Sequence, residues 1–576
     1  MSKHLCDPLN LEELEQRIAP AGNVTAEVIG GFLFITGDAE SNVIAIDQAG
    51  LLADQFRVTG EDGTTVGGGS SMEFLSAPKG IKLFMGDGSD SVSLEGATMS
   101  GSVFLNGGDG DNVFSADSTY ISGQLVVKNG EGFQDIDLGG AVDGNLAITN
   151  GDGGSDAAIY ANVGGNLVMK NGDGNDALDL GGRVEGNAVI SNGMGDNSEE
   201  FTNGIVGNLT IKTLDGSQDL DLRYADVGGK MTVFHGAGSS YLYMSHVRIG
   251  GTLALTNGTG NHTAFIADTT EVGGAAKFTS GDGNNSLTLS AVTVQRGGSI
   301  RNGAGFDSLY LNSVLTASGA WSIRNGEGGS TTTMEGDSEL HGAFTLANGD
   351  GDNAVNLGLS WIWGDVKIVN GDGNSKASIG EIDLGKGGPL GANFTYIEGD
   401  GTHDIDFAVI AVGKNTKIAT GGVSDIDMTA CFLDGSLLVK TGRSDDAISL
   451  MGAGGAFGRN VTIDSGAGND QVFWDDISVG GNTTFRTGGG NDTLSMETQG
   501  DPAGSRSAFT GKVNILMGDG DDIVVVGQNG NIGHAADFLS AVAVDGGAGS
   551  DTLNVGNQNT FAVELVERSF EVVSLP

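Results

Sequence analysis

The chain is poor in the residues that fasten or interrupt a fold. It has two cysteines, Cys6 and Cys431, far apart in the sequence. That excludes a disulfide framework and a cysteine zinc site. Six prolines in 576 residues exclude collagen and proline-rich linkers. Cations are scarce: 28 Lys and Arg stand against 74 Asp and Glu, for a net charge of −46. Such a chain repels nucleic acid and anionic membrane and attracts cations. No run approaches 18 apolar residues, so no membrane-spanning helix is expected. Lys3 and His4 are not followed by the apolar core of a standard secretory signal. The chain also lacks His-Glu-x-x-His, Gly-x-Ser-x-Gly, a phosphate loop and Cys-x-x-Cys, and its seven histidines are scattered.

Glycine and aspartate are plentiful. Glycine alone supplies 102 residues, more than twice the usual share. It recurs in one turn, as in Met85-Gly86-Asp87-Gly88-Ser89-Asp90, Asn171-Gly172-Asp173-Gly174-Asn175-Asp176 and Ser465-Gly466-Ala467-Gly468-Asn469-Asp470. Twenty-one copies run from Gly86 to Gly547, a mean spacing of (547 − 86)/20, about 23 residues. Three gaps are long: 371 to 399, 488 to 518 and 518 to 547.

A short alternating run precedes each turn: Leu146–Thr149, Leu167–Lys170, Leu209–Lys212, Val461–Asp464, Thr483–Arg486. Its period of two marks a strand with one buried face. Met169, Ile211, Phe278, Ile323, Ile368 and Ile463, with Leu167, are expected to point inward. A smaller turn precedes that strand, and a further run such as Ala177–Leu180 follows the glycine turn. A unit this small cannot bury its own apolar side, so it must stack on the next. The expected fold is all-β: a right-handed parallel β-helix, or β-solenoid, of about 21 coils of 21–24 residues. Strand spacing would make it a rod of roughly 100 Å. A short amphipathic helix over residues 8–18 is expected as a cap. The expected segments are a leader or capping helix at 1–22, opening strands at 23–80, a β-helix with degenerate glycine turns at 81–459, and calcium-type turns at 460–576.

Nine turns carry Asn just before the first glycine: Asn129, Asn150, Asn171, Asn192, Asn257, Asn302, Asn325, Asn348 and Asn370. Stacked in register, their amides can bond along the axis. Seven cations share one strand position: Lys128, Lys170, Lys212, Arg301, Arg324, Lys440 and Arg486. They should face outward, either to compensate acidic turns or to hold an acidic polysaccharide.

Two resemblances add to this reading. Leu11-Glu12-Glu13-Leu14-Glu15-Gln16-Arg17-Ile18-Ala19-Pro20 resembles the leader of exported bacterial proteins of the planctomycete type, and Phe32–Asp38 with Asn42–Asp47 resembles the strand pair that follows it. Gly546-Gly547-Ala548-Gly549-Ser550-Asp551-Thr552-Leu553-Asn554 resembles the nine-residue repeat of the RTX, or haemolysin-type calcium-binding, family. Residues 171–179, 465–473, 487–495 and 517–525 depart from it only at the first glycine. The resemblance implies Ca2+ held by turn carbonyls and the sixth-position Asp. The implied ligands are Asp470, Asp492, Asp522 and Asp551, with Gly466, Gly468, Gly488, Gly490, Gly518, Gly520, Gly547 and Gly549. Asp90, Asp176, Asp307 and Asp519 are weaker candidates. One glycine turn per coil, where the family has two, allows one column of ions. Turns such as Gly236-Ala237-Gly238-Ser239-Ser240 and Gly258-Thr259-Gly260-Asn261-His262 lack the Asp and are expected to bind nothing. Two aligned carboxylates about 5 Å apart repel by roughly 3 kcal/mol at an effective dielectric of 20, and hard oxygen ligands suit calcium.

The functional expectation is a secreted or cell-surface calcium-binding solenoid, structural or adhesive, not an enzyme, exported without a standard signal peptide. Its partners would be calcium and a surface polysaccharide or another protein, not nucleic acid. Two alternatives stand: a polysaccharide lyase or hydrolase on the same fold, and a self-assembling matrix subunit. Asp475-Asp476, Asp404 with Asp406, and Trp361-Ile362-Trp363 are the features an enzyme would draw on.

Overall fold

A computed structural model describes residues 22–574, apart from 75, 385–390, 453–454, 499–505 and 531–532. The helix expected over residues 8–18 lies outside the described residues. Those that are described form strands, turns and bends without a helix. The chain is a parallel β-solenoid of about 22 turns. It falls into two compact units, Met1–Gly186 and Asn187–Pro576.

From Leu209 onward each full coil of the C-terminal unit has three strands. The first face is built from strands of four to seven residues such as Leu209–Thr213, Met231–His235 and Leu253–Asn257. The glycine turn leads to the second face, with strands such as Gln218–Arg223 and Ser240–Ser245. Two- or three-residue strands such as Asp226–Val227, Arg248–Ile249 and Glu271–Val272 make the third. Each strand pairs in parallel with its counterpart in the next coil. The N-terminal unit repeats the first and second faces, in Leu146–Thr149 against Leu167–Lys170 and Ser155–Ile159 against Asp176–Leu180.

Alternation places every other side chain inside. Phe278, Ile300, Ile323, Leu346 and Ile368 stack in one inward column across successive coils. The residues expected to face inward, Leu167, Met169, Ile211, Phe278, Ile323, Ile368 and Ile463, are all buried. Burying one such side chain contributes about 1.5–3 kcal/mol, and the column repeats that gain coil by coil.

The two long corners are built differently. The glycine corner spans nine positions between inward residues, from Ile148 to Ala157 through Val544 to Leu553, shortened by one between Ile418 and Ile426. Glycine is favoured where turns lie backbone on backbone, although Leu214 and Ser444 stand at two of these positions. A Cβ on Gly488, at φ +97°, would meet the Gly466 carbonyl oxygen at 1.6 Å. The corner after the second face uses non-glycine residues in the left-handed region instead, among them His246, Ser313, Leu359, Val409, Asp476 and Glu497. Such residues cost more there than glycine, and glycine takes this corner in only some coils, as at Gly96, Gly336 and Gly527.

Phe32–Thr36 and Val43–Asp47 do not pair with each other. The first pairs antiparallel with Asn23–Ile29 and the second antiparallel with Arg57–Gly60, while both run parallel to the next coil.

Candidate metal centre at the glycine corner

The sixth position of the glycine turn points inward, under the corner. In the C-terminal unit this column reads Asn197, Gln218, Ser240, His262, Asn285, Asp307, Ser330, Asn353, Ser375, His403 and Ser424, then Asp446, Asp470, Asp492, Asp522 and Asp551. All are buried except Ser240, which is partly exposed. The column changes character near residue 440.

Neutral members close on themselves. The Asn285 amide donates to the carbonyls of Gly281 and Gly283, at 3.3 and 3.0 Å. The Asn353 amide donates to those of Gly349 and Gly351, at 3.1 and 2.9 Å. The imidazoles follow the same rule, His262 Nε2 lying 3.1 Å from the Gly258 carbonyl and His403 Nε2 3.1 Å from that of Gly399. A side-chain N–H thus sits where the two glycine carbonyls of the turn converge.

The carboxylates have no N–H to offer. Each accepts the backbone N–H of the preceding coil through Oδ1: Asp446 N to Asp470 at 2.9 Å, Asp470 N to Asp492 and Asp492 N to Asp522 at 2.8 Å, Asp522 N to Asp551 at 2.9 Å. Glu571 ends the series by accepting from Asp551 N. The second oxygen, Oδ2, of Asp446, Asp470, Asp492, Asp522 and Asp551 has no hydrogen-bond partner among the described residues. The hydroxyls beside Asp446 and Asp492, those of Thr441 and Thr487, donate to the carbonyls of Ser465 and Met517 instead. No side chain among the described residues donates to the carbonyls of Gly466, Gly468, Gly488, Gly490, Gly518, Gly520, Gly547 or Gly549.

Burial penalises the charged form. It pushes the carboxyls of Asp470 and Asp522 up to about 6, with neighbouring aspartates adding to the rise and hydrogen bonds opposing it. Asp446 and Asp492 are raised for the same leading reason. A carboxylate oxygen without a partner, beneath two glycine carbonyls, is a set of hard oxygen donors of the kind calcium takes.

The structure therefore brings Asp470, Asp492, Asp522 and Asp551 into one buried column and adds Asp446. The sequence reading missed Asp446 because its turn, Thr441-Gly442-Arg443-Ser444-Asp445-Asp446, lacks the second glycine. Asp519 does not join the column, being exposed on the outer side of its turn. Asp90, Asp176 and Asp307 are buried at the same position, each with Oδ2 unpartnered and its carboxyl pushed up to about 6 by burial. They stand singly: Asp307 accepts from Asn285 Nδ2 at 2.9 Å, Asp176 from Ser155 Oγ at 2.8 Å and Asp90 from Asn42 N at 2.8 Å.

The position five residues earlier lines the same corner. There the expected amide ladder forms in two runs, while Asn192 donates to Glu199 and Asn257 to Ser280. Asn302 donates to Asn325, Asn325 to Asn348 and Asn348 to Asn370, at 2.8, 2.7 and 2.6 Å. In the N-terminal unit Asn129 donates to Asn150 and Asn150 to Asn171, both at 3.0 Å. The longer ladder ends on Glu398, which accepts from Asn370 at 2.7 Å and from the Tyr396 hydroxyl.

The basic stripe is also real and largely unpaired. All seven cations are exposed, and of these only Lys440 forms an ion pair among the described residues, with Asp464 at 3.6 Å. Lys277, Lys367 and Lys417 lie on the same face. The eight first-face strands from Ala276–Thr279 to Leu437–Lys440 contain no Asp or Glu. In these coils the second face carries Glu335, Asp404, Asp406, Asp425 and Asp427. Trp361 and Trp363 are exposed near the third face, and Asp404 pairs with Lys376 at 2.7 Å. No helix among the described residues is long and apolar enough to cross a membrane.

Comparison with protein-family models, with curated proteins and with solved structures finds no match to this chain.

Proposed function

We propose that the protein is a calcium-binding β-solenoid acting at or outside the cell surface as a structural or adhesive element, without catalysing a reaction. The exchange of donors at the glycine corner carries this reading. Where Asn or His occupies the column, its N–H fills the space between carbonyls. From Asp446 onward that N–H is replaced by an unpartnered carboxylate oxygen, and a cation restores the balance. Asp470, Asp492, Asp522 and Asp551 would hold Ca2+ with the turn carbonyls of Gly466, Gly468, Gly488, Gly490, Gly518, Gly520, Gly547 and Gly549. Calcium supplies positive charge between coils and no bond-breaking chemistry.

A column that binds in the range of extracellular calcium modules, roughly 0.1–1 mM, would fill only where free calcium is abundant. The acid-free basic face supports adhesion, since it offers an anionic polysaccharide a strip of cations with few acids to compete. Calcium that binds only the folded coils stabilises them by about 2.7 kcal/mol at 100 times its dissociation constant. Hydrogen exchange on the full chain at neutral pH should show calcium-dependent protection concentrated beyond residue 440. Equal exchange in millimolar calcium and in chelator would overturn the reading.

A further inference from the structure

A second cluster of carboxylates lies at the opposite end of the second face. Asp475 ends the strand Gln471–Asp475, and Asp476 turns the corner after it. Glu497 turns the corner of the next coil, after Thr493–Met496. The pairing of Trp474 with Met496 sets the two corners side by side. One carboxylate oxygen from each of the three residues lies within 4.8 Å of the others.

Glu497 is fully buried, and Asp475 is 8% exposed. Glu497 Oε1 is fixed by the backbone N–H groups of Asp476 and Ser507, at 3.0 and 2.8 Å. Its other oxygen, Oε2, is buried without a hydrogen-bond partner among the described residues. No cation pairs with Glu497 there. A carboxylate held rigidly by one oxygen, with the other unpartnered beside two more carboxylates, is a preformed oxygen site. A spread of 4.8 Å is what a calcium ion spans with ligands at about 2.4 Å on opposite sides.

We propose that Asp475, Asp476 and Glu497 bind a hard divalent cation of the calcium class, at a site separate from the glycine corner. The ion clamps two successive coils where the chain between the second and third faces is longest, from Met496 to Ala508. Two ligands come from one coil and one from the next, so the site forms only when the coils are stacked. It stands on geometry of its own and does not need the glycine-corner column to bind anything.

Terbium reports such a site because a nearby indole sensitises its emission. Trp474 adjoins Asp475, and its Nε1 donates to Ser507 Oγ at 3.0 Å. The probe is terbium alone, added to the full chain and excited through tryptophan. Sensitised emission that calcium displaces is expected in the parent and in Asp492→Asn. It should fall at least fivefold in Glu497→Gln and in Asp476→Asn. The second variant changes a partly exposed side chain at a left-handed position that Asn accepts, so it keeps the test valid if Glu497→Gln does not fold. Undiminished emission in Asp476→Asn, or none in the parent, overturns the proposal. Loss confined to Asp492→Asn would overturn it while leaving the glycine-corner reading intact.

Discussion

Two stretches of the C-terminal unit use one backbone plan and solve the same problem in opposite ways. Between Asn285 and His403 the inward column is mostly amide, hydroxyl and imidazole, and its members donate to turn carbonyls or to each other. Between Asp446 and Asp551 it is carboxylate alone, with one oxygen of each left over. The strands, the glycines and the inward apolar column continue through both. Folding geometry therefore does not choose the polar residue. What differs is self-sufficiency: Asp307 apart, the column of the first stretch places its side-chain donors on internal acceptors, and the second needs a proton or a cation from solution.

The sharpest way to break the comparison is to move a carboxylate into the amide stretch. Asn348 accepts from Asn325 and donates to Asn370. Asn348→Asp loses the donor, sets oxygen against oxygen and buries a charge. A loss of about 3 kcal/mol is expected at neutral pH, read as a lower denaturant midpoint, with calcium unable to rescue it.

Acid is the next largest lever. The folded-state carboxyls of Asp470 and Asp522 sit near 6, above the usual 3.8. A raised acid binds its proton in the folded state first. In chelator, stability should therefore rise as pH falls through 6 and level off near 4. Each shift of about two units is worth on the order of 2–3 kcal/mol. Exchange measured at pH 7.5 and at pH 5 should show the gain beyond residue 440 and little change over residues 330–375. A uniform response would erase the contrast between the stretches.

The reverse substitution should do the least. Asp492→Asn keeps an oxygen for the Asp470 N–H and supplies an amide N–H for the turn carbonyls. In chelator at neutral pH it should stabilise by about 1 kcal/mol, and it should blunt the calcium response of the neighbouring coils. Destabilisation in chelator would mean that the carboxylate is already satisfied without a cation.

Much of the fold was legible in the sequence, because period-two strands and a 23-residue glycine repeat leave few ways to bury an apolar side. Leu167, Met169 and Ile463 could be placed from alternation alone, and the Asn302–Asn370 ladder from repeat register. The left-handed corner at His246, Leu359 and Val409 could not, since stacking imposes that backbone on residues that would not choose it. The polar column was only partly legible. Asp470 and Asp492 stand in glycine-rich turns, but Asn353, His403 and Asp446 share their position without sharing their chemistry. Glu497 gave no local signal, because its partners Asp475 and Asp476 belong to the preceding coil.

The nine-residue glycine corner fixes where this molecule can gain length. With carbonyls of one turn pressed on the α-carbons of the next, an added residue there would split the stack. In the long coils the extra residues enter elsewhere, between Ile382–Leu384 and Phe394–Ile397, between Thr493–Met496 and Ala508–Phe509, and between Ile523–Val526 and Asp537–Phe538. One edge of each coil is thus closed to insertion and the other two are open. Foreign loops grafted beside the third face would inherit a periodic scaffold, and the same graft at the glycine edge would destroy it.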